Sequence, residues 1–203
     1  SNEQVLISQL RRRNHDLETA LDNLYVTTHQ LSHTRELVRT DELTGLDNRR
    51  GLALYLKEAR VQEGTLPEGL LLIDCDAFKL INDRHGHQAG DRVLQSVANI
   101  LRSMAGAQDL ACRLGGDEFC LLLRRGTPEM VQHAGEFVLS AVNGLLERSH
   151  GTPHVCHLSI GAHLLEPQGD WSEWYARADR ALYQAKREGG ARLRWSHDAI
   201  DPL

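Results

Sequence analysis

The sequence predicts an α/β fold, a sandwich in which a mostly antiparallel, five-stranded central sheet is flanked by helices, with one long helix ahead of it. Three observations carry this. Apolar runs of strand length alternate with longer segments whose apolar residues recur at helical spacing. Two strand-like runs, 110–114 and 119–123, are separated by Gly115-Gly116-Asp117-Glu118, which reads as a hairpin whose paired glycines supply the positive φ of a two-residue turn. Ahead of residue 40, Leu10, Leu17, Leu24 and Leu31 recur at a seven-residue spacing, with Val38 one step further.

Taken in order, those leucines fill the d positions of a heptad pattern, and Ile7, Asn14, Leu21, Thr28 and Arg35 fill the a positions. Such a seam predicts a parallel coiled coil over 1–39; a lone amphipathic helix folded back on the domain is the alternative. A globular domain is expected over 40–197 and a tail over 198–203. The stretch 41–50 reads as a turn and helix start, Gly45 permitting the turn and Asn48 capping a helix marked by Leu52, Tyr55, Leu56 and Ala59. Further helical stripes are Val93, Val97, Ile100, Leu101 and Met104; then Met130, Ala134, Phe137, Val138, Ala141, Val142 and Leu145; then Trp174, Tyr175, Ala178, Ala181, Leu182 and Ala185. All of these are read as core. Strands are expected near 69–76, 109–114, 118–123, 155–164 and 192–195.

Composition narrows the classes of function. The 203 residues are 41% hydrophobic, enough for one ordinary domain and an extension. No run approaches a membrane span and no secretory signal opens the chain, so a cytoplasmic protein, or the cytoplasmic part of a longer sensor, is expected. Cys75, Cys112, Cys120 and Cys156 lack CxxC spacing and lie in apolar runs, as buried thiols do. The net charge of −5 argues against nucleic acid as a partner.

The run 69–76 ends in Asp74-Cys75-Asp76, and period-two geometry puts those two carboxylates on one face at the strand's end. Asp76 is also placed to cap the helix that follows. With Asp117 and Glu118 on a neighbouring hairpin, these acids make the oxygen-rich set that Mg²⁺ takes when it also holds a nucleotide's phosphates. Phosphoryl or nucleotidyl transfer is the chemistry such a set serves.

Four blocks in order carry a family resemblance: Asp41-Glu-Leu-Thr-Gly-Leu-Asp-Asn-Arg-Arg50, Asp74-Cys-Asp-Ala-Phe-Lys-Leu-Ile-Asn-Asp-Arg-His-Gly-His-Gln-Ala-Gly-Asp91, Arg113-Leu-Gly-Gly-Asp-Glu-Phe119 and Ala178-Asp-Arg-Ala-Leu-Tyr-Gln-Ala-Lys186. From about residue 40 to about 195 the chain resembles the GGDEF-domain diguanylate cyclases, which condense two GTP molecules into cyclic di-GMP and two pyrophosphates. The resemblance implies a palm-like core similar to that of nucleotide cyclases and polymerases. It implies Mg²⁺, with Mn²⁺ as an alternative, on Asp74, the backbone carbonyl of Cys75 and Asp117, with Glu118 on a second ion. Asp117 is implied as acceptor of the 3′-hydroxyl proton, Lys79 and Lys186 as phosphate contacts, Asn82 and Asp91 as guanine contacts, and His87 and Phe78 as pocket lining. A homodimer is implied, since each bound GTP attacks the other, and the coiled coil would bring the half-sites together.

Two departures stand out against the family pattern. Where many members carry Arg-x-x-Asp as a product-binding brake, this chain has Gly106-Ala-Gln-Asp109, so strong product inhibition is not expected. Where the family often reads Lys-x-x-Gly-Arg, this chain has Lys186-Arg-Glu-Gly-Gly190, leaving Arg187 or Arg192 to compensate, or GTP to bind more weakly. A silent GGDEF module that binds GTP or a partner, a coiled-coil interaction protein, and an ATP-using cyclase are the rival readings.

Overall fold

The heptad segment forms one uninterrupted helix, α1 (Asn2–Leu37), in the computed structural model, which describes residues 2–37, 39–61, 64, 66–148 and 156–197. Val38, Val155 and the expected tail 198–203 lie outside the described residues. The chain divides into two units, Ser1–Arg39 and Thr40–Leu203. Within the first, Ile7, Leu10, Leu17, Leu21 and Leu24 are all exposed. Thr28 returns its hydroxyl to the Leu24 carbonyl at 2.7 Å, which satisfies it within the helix.

The second unit runs α2 (Arg49–Val61), β1 (Gly69–Cys75), α3 (Phe78–His85), α4 (His87–Met104), β2 (Leu110–Gly115), β3 (Glu118–Leu123), α5 (Pro128–Arg148), β4 (Leu158–Leu164), α6 (Trp171–Arg187) and β5 (Leu193–Trp195). The five strands lie in the order β2-β3-β1-β4-β5; every pair is antiparallel except β4 with β5. The sheet is covered on both faces. Leu71, Ile73 and Cys75 of β1 pack with residues of α4 and α5, such as Val97, Leu101 and Val138. Leu70 and Leu72 pack with residues of α2 and α6, such as Leu52, Trp174 and Leu182. Burial on both faces is why β1 reads as an unbroken apolar run. Leu70 to Ile73 are fully buried, each contributing about 1.5–3 kcal/mol relative to exposure, so the acidic end of β1 hangs from the best-anchored strand of the sheet.

Asn48 caps α2 as expected, its Oδ1 accepting from the N–H groups of Arg50 at 2.9 Å and Gly51 at 3.1 Å. The same lead-in loop covers the outer edge of the sheet: Asp47 accepts from Arg113 N–H at 2.8 Å and donates to the Ala111 carbonyl at 3.3 Å. Met130 and Phe137, expected in the core, are exposed on α5. Three further expectations are corrected. The two-residue turn between β2 and β3 is Gly116-Asp117, because Gly115, at φ 144°, pairs with Glu118 after a register shift past Arg113. β1 ends at Cys75, so Asp76 lies beyond the strand and does not share its face alternation with Asp74. Nor does Asp76 cap α3, which starts behind Ala77 in the left-handed region at φ 55° with no side-chain cap.

Candidate active site

Strand register assembles the acidic group. Asp74 of β1 sits directly opposite Glu118 of β3, and the Cys75 N–H donates to the Asp117 carbonyl at 3.2 Å. Alternation along β1 sends Asp74 to the α6 side, where Lys186 Nζ meets its Oδ1 at 2.7 Å. Burial raises the Asp74 carboxyl above its ordinary range, Lys186 opposes this, and the charges of Asp117 and Asp76 raise it further. The Cys75 thiol goes the other way, into the core beside Cys156; that contact first, and then burial, push it well above the usual thiol range, so it stays protonated. Asp74, Cys75, Asp117, Glu118 and Lys186 are thus brought together.

Glu118 has partners that sequence reasoning missed. Tyr175 of α6 donates its hydroxyl to Glu118 Oε1 at 2.6 Å, and Arg49 Nη2 lies 3.8 Å from Oε2. Burial and this bond keep the Tyr175 phenol protonated, far above its ordinary value. In the sequence both residues look like something else: Tyr175 belongs to an apolar stripe, and Arg49 stands at a helix start.

Asp76 serves as a clasp. Its Oδ1 accepts from Ser159 Oγ at 2.7 Å and its Oδ2 from Ala191 N–H at 2.9 Å, tying β4 and the turn after α6 to the mouth of β1. Gly190 has φ 72°, and a Cβ there would lie 2.7 Å from Asp76 Oδ2. The turn as built therefore has no room for a side chain at the position where the family often has arginine. Arg192 is committed elsewhere, to Glu188 at 3.3 Å and to the Gly190 carbonyl at 3.0 Å. Arg194, then Gln184, with Arg192 a weaker contributor, hold the Glu188 carboxyl down at about 2. Arg187 remains on the wall of a cavity of about 580 Å³ that Asp74, Glu118, Tyr183 and Lys186 also line.

A second group forms where α3 meets α4. A Cβ on Gly90 would lie 2.0 Å from Asn82 Oδ1 and 2.9 Å from Phe78 Cζ, so the missing side chain is what lets these residues approach. Asn82 Oδ1 is buried and has no hydrogen-bond partner. Asp91 follows Gly90 and is exposed. His85-Gly-His87 is not a loop: His85 ends α3 and His87 begins α4, with Gly86 alone between them. Lys79 and His87 stand exposed in the first turns of α3 and α4, and the structure joins neither to the acidic group.

The hairpin that presents Asp117 is pinned from behind. Arg113 gives Nη1 to both oxygens of Asp41, at 3.0 and 3.1 Å, and Nε and Nη2 to the Gly116 carbonyl, at 3.0 and 2.7 Å. Asp41 also accepts from Thr44 Oγ1 at 2.6 Å. Burial acts to raise the Asp41 carboxyl, but the bonds to Thr44 and Arg113 outweigh it and the net shift is downward. An Asp41→Asn chain should lose about 2 kcal/mol, the size of a part-buried hydrogen bond to charge, or roughly 4–8 °C of thermal midpoint. Because the folded pKa is depressed, this stabilisation is present above the unfolded pKa and lost as pH falls through the folded one. Melting curves of the two chains should therefore differ near neutral pH and converge below about pH 4.

Among the described residues, no three His, Cys, Asp or Glu side chains converge into a ready-made metal cage. Mg²⁺ does not need one, since it is held by one or two carboxylates plus phosphates and water. The donor set fits such an ion: Asp74 already holds a cation, the Lys186 ammonium, and Glu118 stands opposite it.

A five-stranded sheet with helices on both faces and acids at the mouth of its central strand defines an α/β sandwich domain with an acidic site at a strand end. The family model described as "Diguanylate cyclase, GGDEF domain" matches residues 38–192, and the chain belongs to that family. It is 39% identical over 167 residues to the response regulator PleD of Caulobacter vibrioides, a match covering 79% of this chain and 37% of PleD. The chain thus spans little more than a third of that curated relative. Among solved structures, it resembles the coiled coil and GGDEF domain of DgcB from Caulobacter crescentus in complex with c-di-GMP, at TM-score 0.77 and 29% identity, covering 90% of this chain and 98% of that one. It also resembles the diguanylate cyclase SiaD of Pseudomonas aeruginosa, in complex with its activator SiaC, at TM-score 0.73 and 31% identity, covering 95% and 75%.

Proposed function

We propose that this chain is a diguanylate cyclase, which joins two GTP molecules into cyclic di-GMP and releases two pyrophosphates. The observation that carries this is the acidic group at the mouth of β1: Asp74 opposite Glu118, Asp117 over Cys75, and Lys186 at 2.7 Å. Mg²⁺ or Mn²⁺, when bound by Asp74, the Cys75 carbonyl, Asp117 and Glu118, supplies the positive charge that polarises the α-phosphate and offsets the triphosphate. Asp117 accepts the 3′-hydroxyl proton as that oxygen bonds to the α-phosphorus of the other GTP and pyrophosphate departs. Lys186 exchanges Asp74 for a phosphate oxygen as the nucleotide enters, and Lys79 adds a second cation.

The unpartnered Asn82 Oδ1 accepts a guanine N–H, its amide donates to the base carbonyl, and Asp91 takes the remaining N–H hydrogens. Phe78 and His87 wall this pocket. Each domain holds one GTP, so catalysis needs two domains face to face. The exposed leucines of α1 support a parallel coiled coil over 1–39 that raises their effective concentration, ahead of a cyclase domain over 40–197. Supply of GTP makes the cytoplasm its place of action, although among the described residues the structure itself says only that no helix is long and apolar enough to cross a membrane.

The test is chromatography of GTP incubated with Mg²⁺ and the purified chain. Cyclic di-GMP and pyrophosphate in a ratio of one to two support the reading; GTP left intact at high protein concentration replaces it with the silent-module reading.

Product feedback follows from Gly106. Asp109 is spent on the fold, its Oδ2 accepting from Gly106 N–H at 2.8 Å and its Oδ1 from Arg124 N–H at 2.8 Å. With glycine rather than arginine at position 106, submicromolar cyclic di-GMP should leave the initial rate unchanged. A Gly106→Arg chain should gain inhibition, since its Cβ needs only a few tenths of an ångström from Asp109 Oδ2 at 3.1 Å. Rates measured against added product check both, and strong inhibition of the unmutated chain would sink the idea. For the triphosphate, Arg187 is the cation we assign in place of one at position 190, because it lines the cavity and Arg192 is bound to Glu188.

A further inference from the structure

We propose that Tyr175 is a positioning residue for Glu118, setting which carboxylate oxygen is offered to a metal ion; this rests on the reading of Glu118 as a metal contact. A glutamate has three side-chain torsions, and the two backbone neighbours of Glu118 do not fix them. Tyr175 Oη does, at 2.6 Å from Oε1, a distance typical of a hydroxyl bonded to a carboxylate. Oε2 is left without so close a partner. Arg49 Nη2 stands 3.8 Å from it, beyond hydrogen-bond range, while Arg49 Nε is tied to the Leu114 carbonyl at 2.5 Å. One oxygen is therefore pinned, and the other has only Arg49 at ion-pair distance, in a residue that lines the same cavity as Asp74.

The helix makes this possible. Tyr175 and Lys186 are 186 − 175 = 11 residues apart on α6, three turns, so both project from one face. Between them on that face Ala178 and Leu182 are buried against the sheet, which fixes the helix. One rigid element thus holds both Asp74, through Lys186, and Glu118, through Tyr175. The Tyr175 ring is held in turn by Trp171, with centroids 5.7 Å apart at a tilt of 52°. Carboxylates that bind metals are commonly held by such outer hydrogen bonds, whose loss costs about 10–100-fold in metal affinity.

The experiment titrates Mn²⁺ into the full chain bound to a non-hydrolysable GTP analogue, with free Mn²⁺ read by electron paramagnetic resonance. Tyr175→Phe keeps the ring and its packing and removes only the hydroxyl. It should weaken Mn²⁺ binding about tenfold and raise the metal concentration for half-maximal rate by the same factor, with kcat at saturating metal and the thermal midpoint nearly kept. Glu118→Gln should weaken Mn²⁺ at least as much, and adding Tyr175→Phe to it should change nothing more. If Tyr175→Phe lowers the midpoint yet binds Mn²⁺ like the unmutated chain while Glu118→Gln does not, Tyr175 is a packing residue and the proposal falls. If Glu118→Gln also binds Mn²⁺ normally, the metal reading of Glu118 falls first and takes the proposal with it.

Discussion

An Asp117→Asn chain should make cyclic di-GMP about 10³-fold more slowly than the unmutated chain, and possess the same thermal midpoint. The two halves of that expectation come from different atoms. What Asp117 gives the fold is its backbone carbonyl, which accepts from Cys75 N–H at 3.2 Å and survives the substitution. The turn itself depends on Gly116 at φ 52° and on Arg113, which holds the Gly116 carbonyl. What the side chain gives is negative charge and a proton acceptor, and loss of a positioned base costs on the order of 10²–10⁴ in rate. A fall through damage to Asp74 is not expected. Removing the Asp117 charge lets the Asp74 carboxyl ionise more readily, because Asp117 is among the groups that raise it. Single-turnover rates at saturating GTP and Mg²⁺ check this, beside melting curves. A rate within tenfold of the unmutated chain would remove Asp117 from the proton-transfer role.

Much of the fold was legible in the sequence because it rests on patterns that burial imposes. β1 shows as an apolar run since helices cover both of its faces, and α4, α5 and α6 show as stripes since each buries one side. The errors fall where backbone conformation departs from those periods. Asp76 reads as a strand residue or a cap, yet Ala77 and Ala191 adopt φ 55° and 54°, unusual for alanine, and turn its carboxylate onto Ser159 and Ala191. The hairpin turn is displaced by one residue because a bulge beside Gly115 is invisible to alternation. In the site, Asp74, Asp117 and Glu118 are legible from acids at a strand end and a turn. Tyr175 is not, because a tyrosine in an apolar stripe looks like core until the register of β3 brings Glu118 beneath its hydroxyl.

The second large effect is expected at a residue with no side chain. Gly90→Ala adds one methyl group, and Ala is favoured over Gly within a helix by about 1 kcal/mol. Overpacking works against this by about 1–3 kcal/mol, so net stability should change little. The pocket should change a great deal, since that methyl would sit 2.0 Å from Asn82 Oδ1 and 2.9 Å from Phe78 Cζ. One of the two must leave. Asn82 is the easier to move, because its buried oxygen has no protein partner to lose and its amide can swing toward solvent. If that oxygen is the acceptor for a guanine N–H, kcat/KM for GTP should fall about 100-fold, within the roughly 1–3 kcal/mol that leaving a buried polar group without its partner costs. The loss should fall mainly on KM. Discrimination should suffer in parallel: adenosine triphosphate, which has an acceptor at ring position 1 and an amine in place of the base carbonyl, should lose less than GTP does, and the gap between the two substrates should narrow. Adding Asn82→Ala to Gly90→Ala should then cost little more, as expected when two changes abolish one contact. Equal losses for both nucleotides would instead mean that the methyl group distorts the phosphate end of α3, and that Asn82 does not read the base.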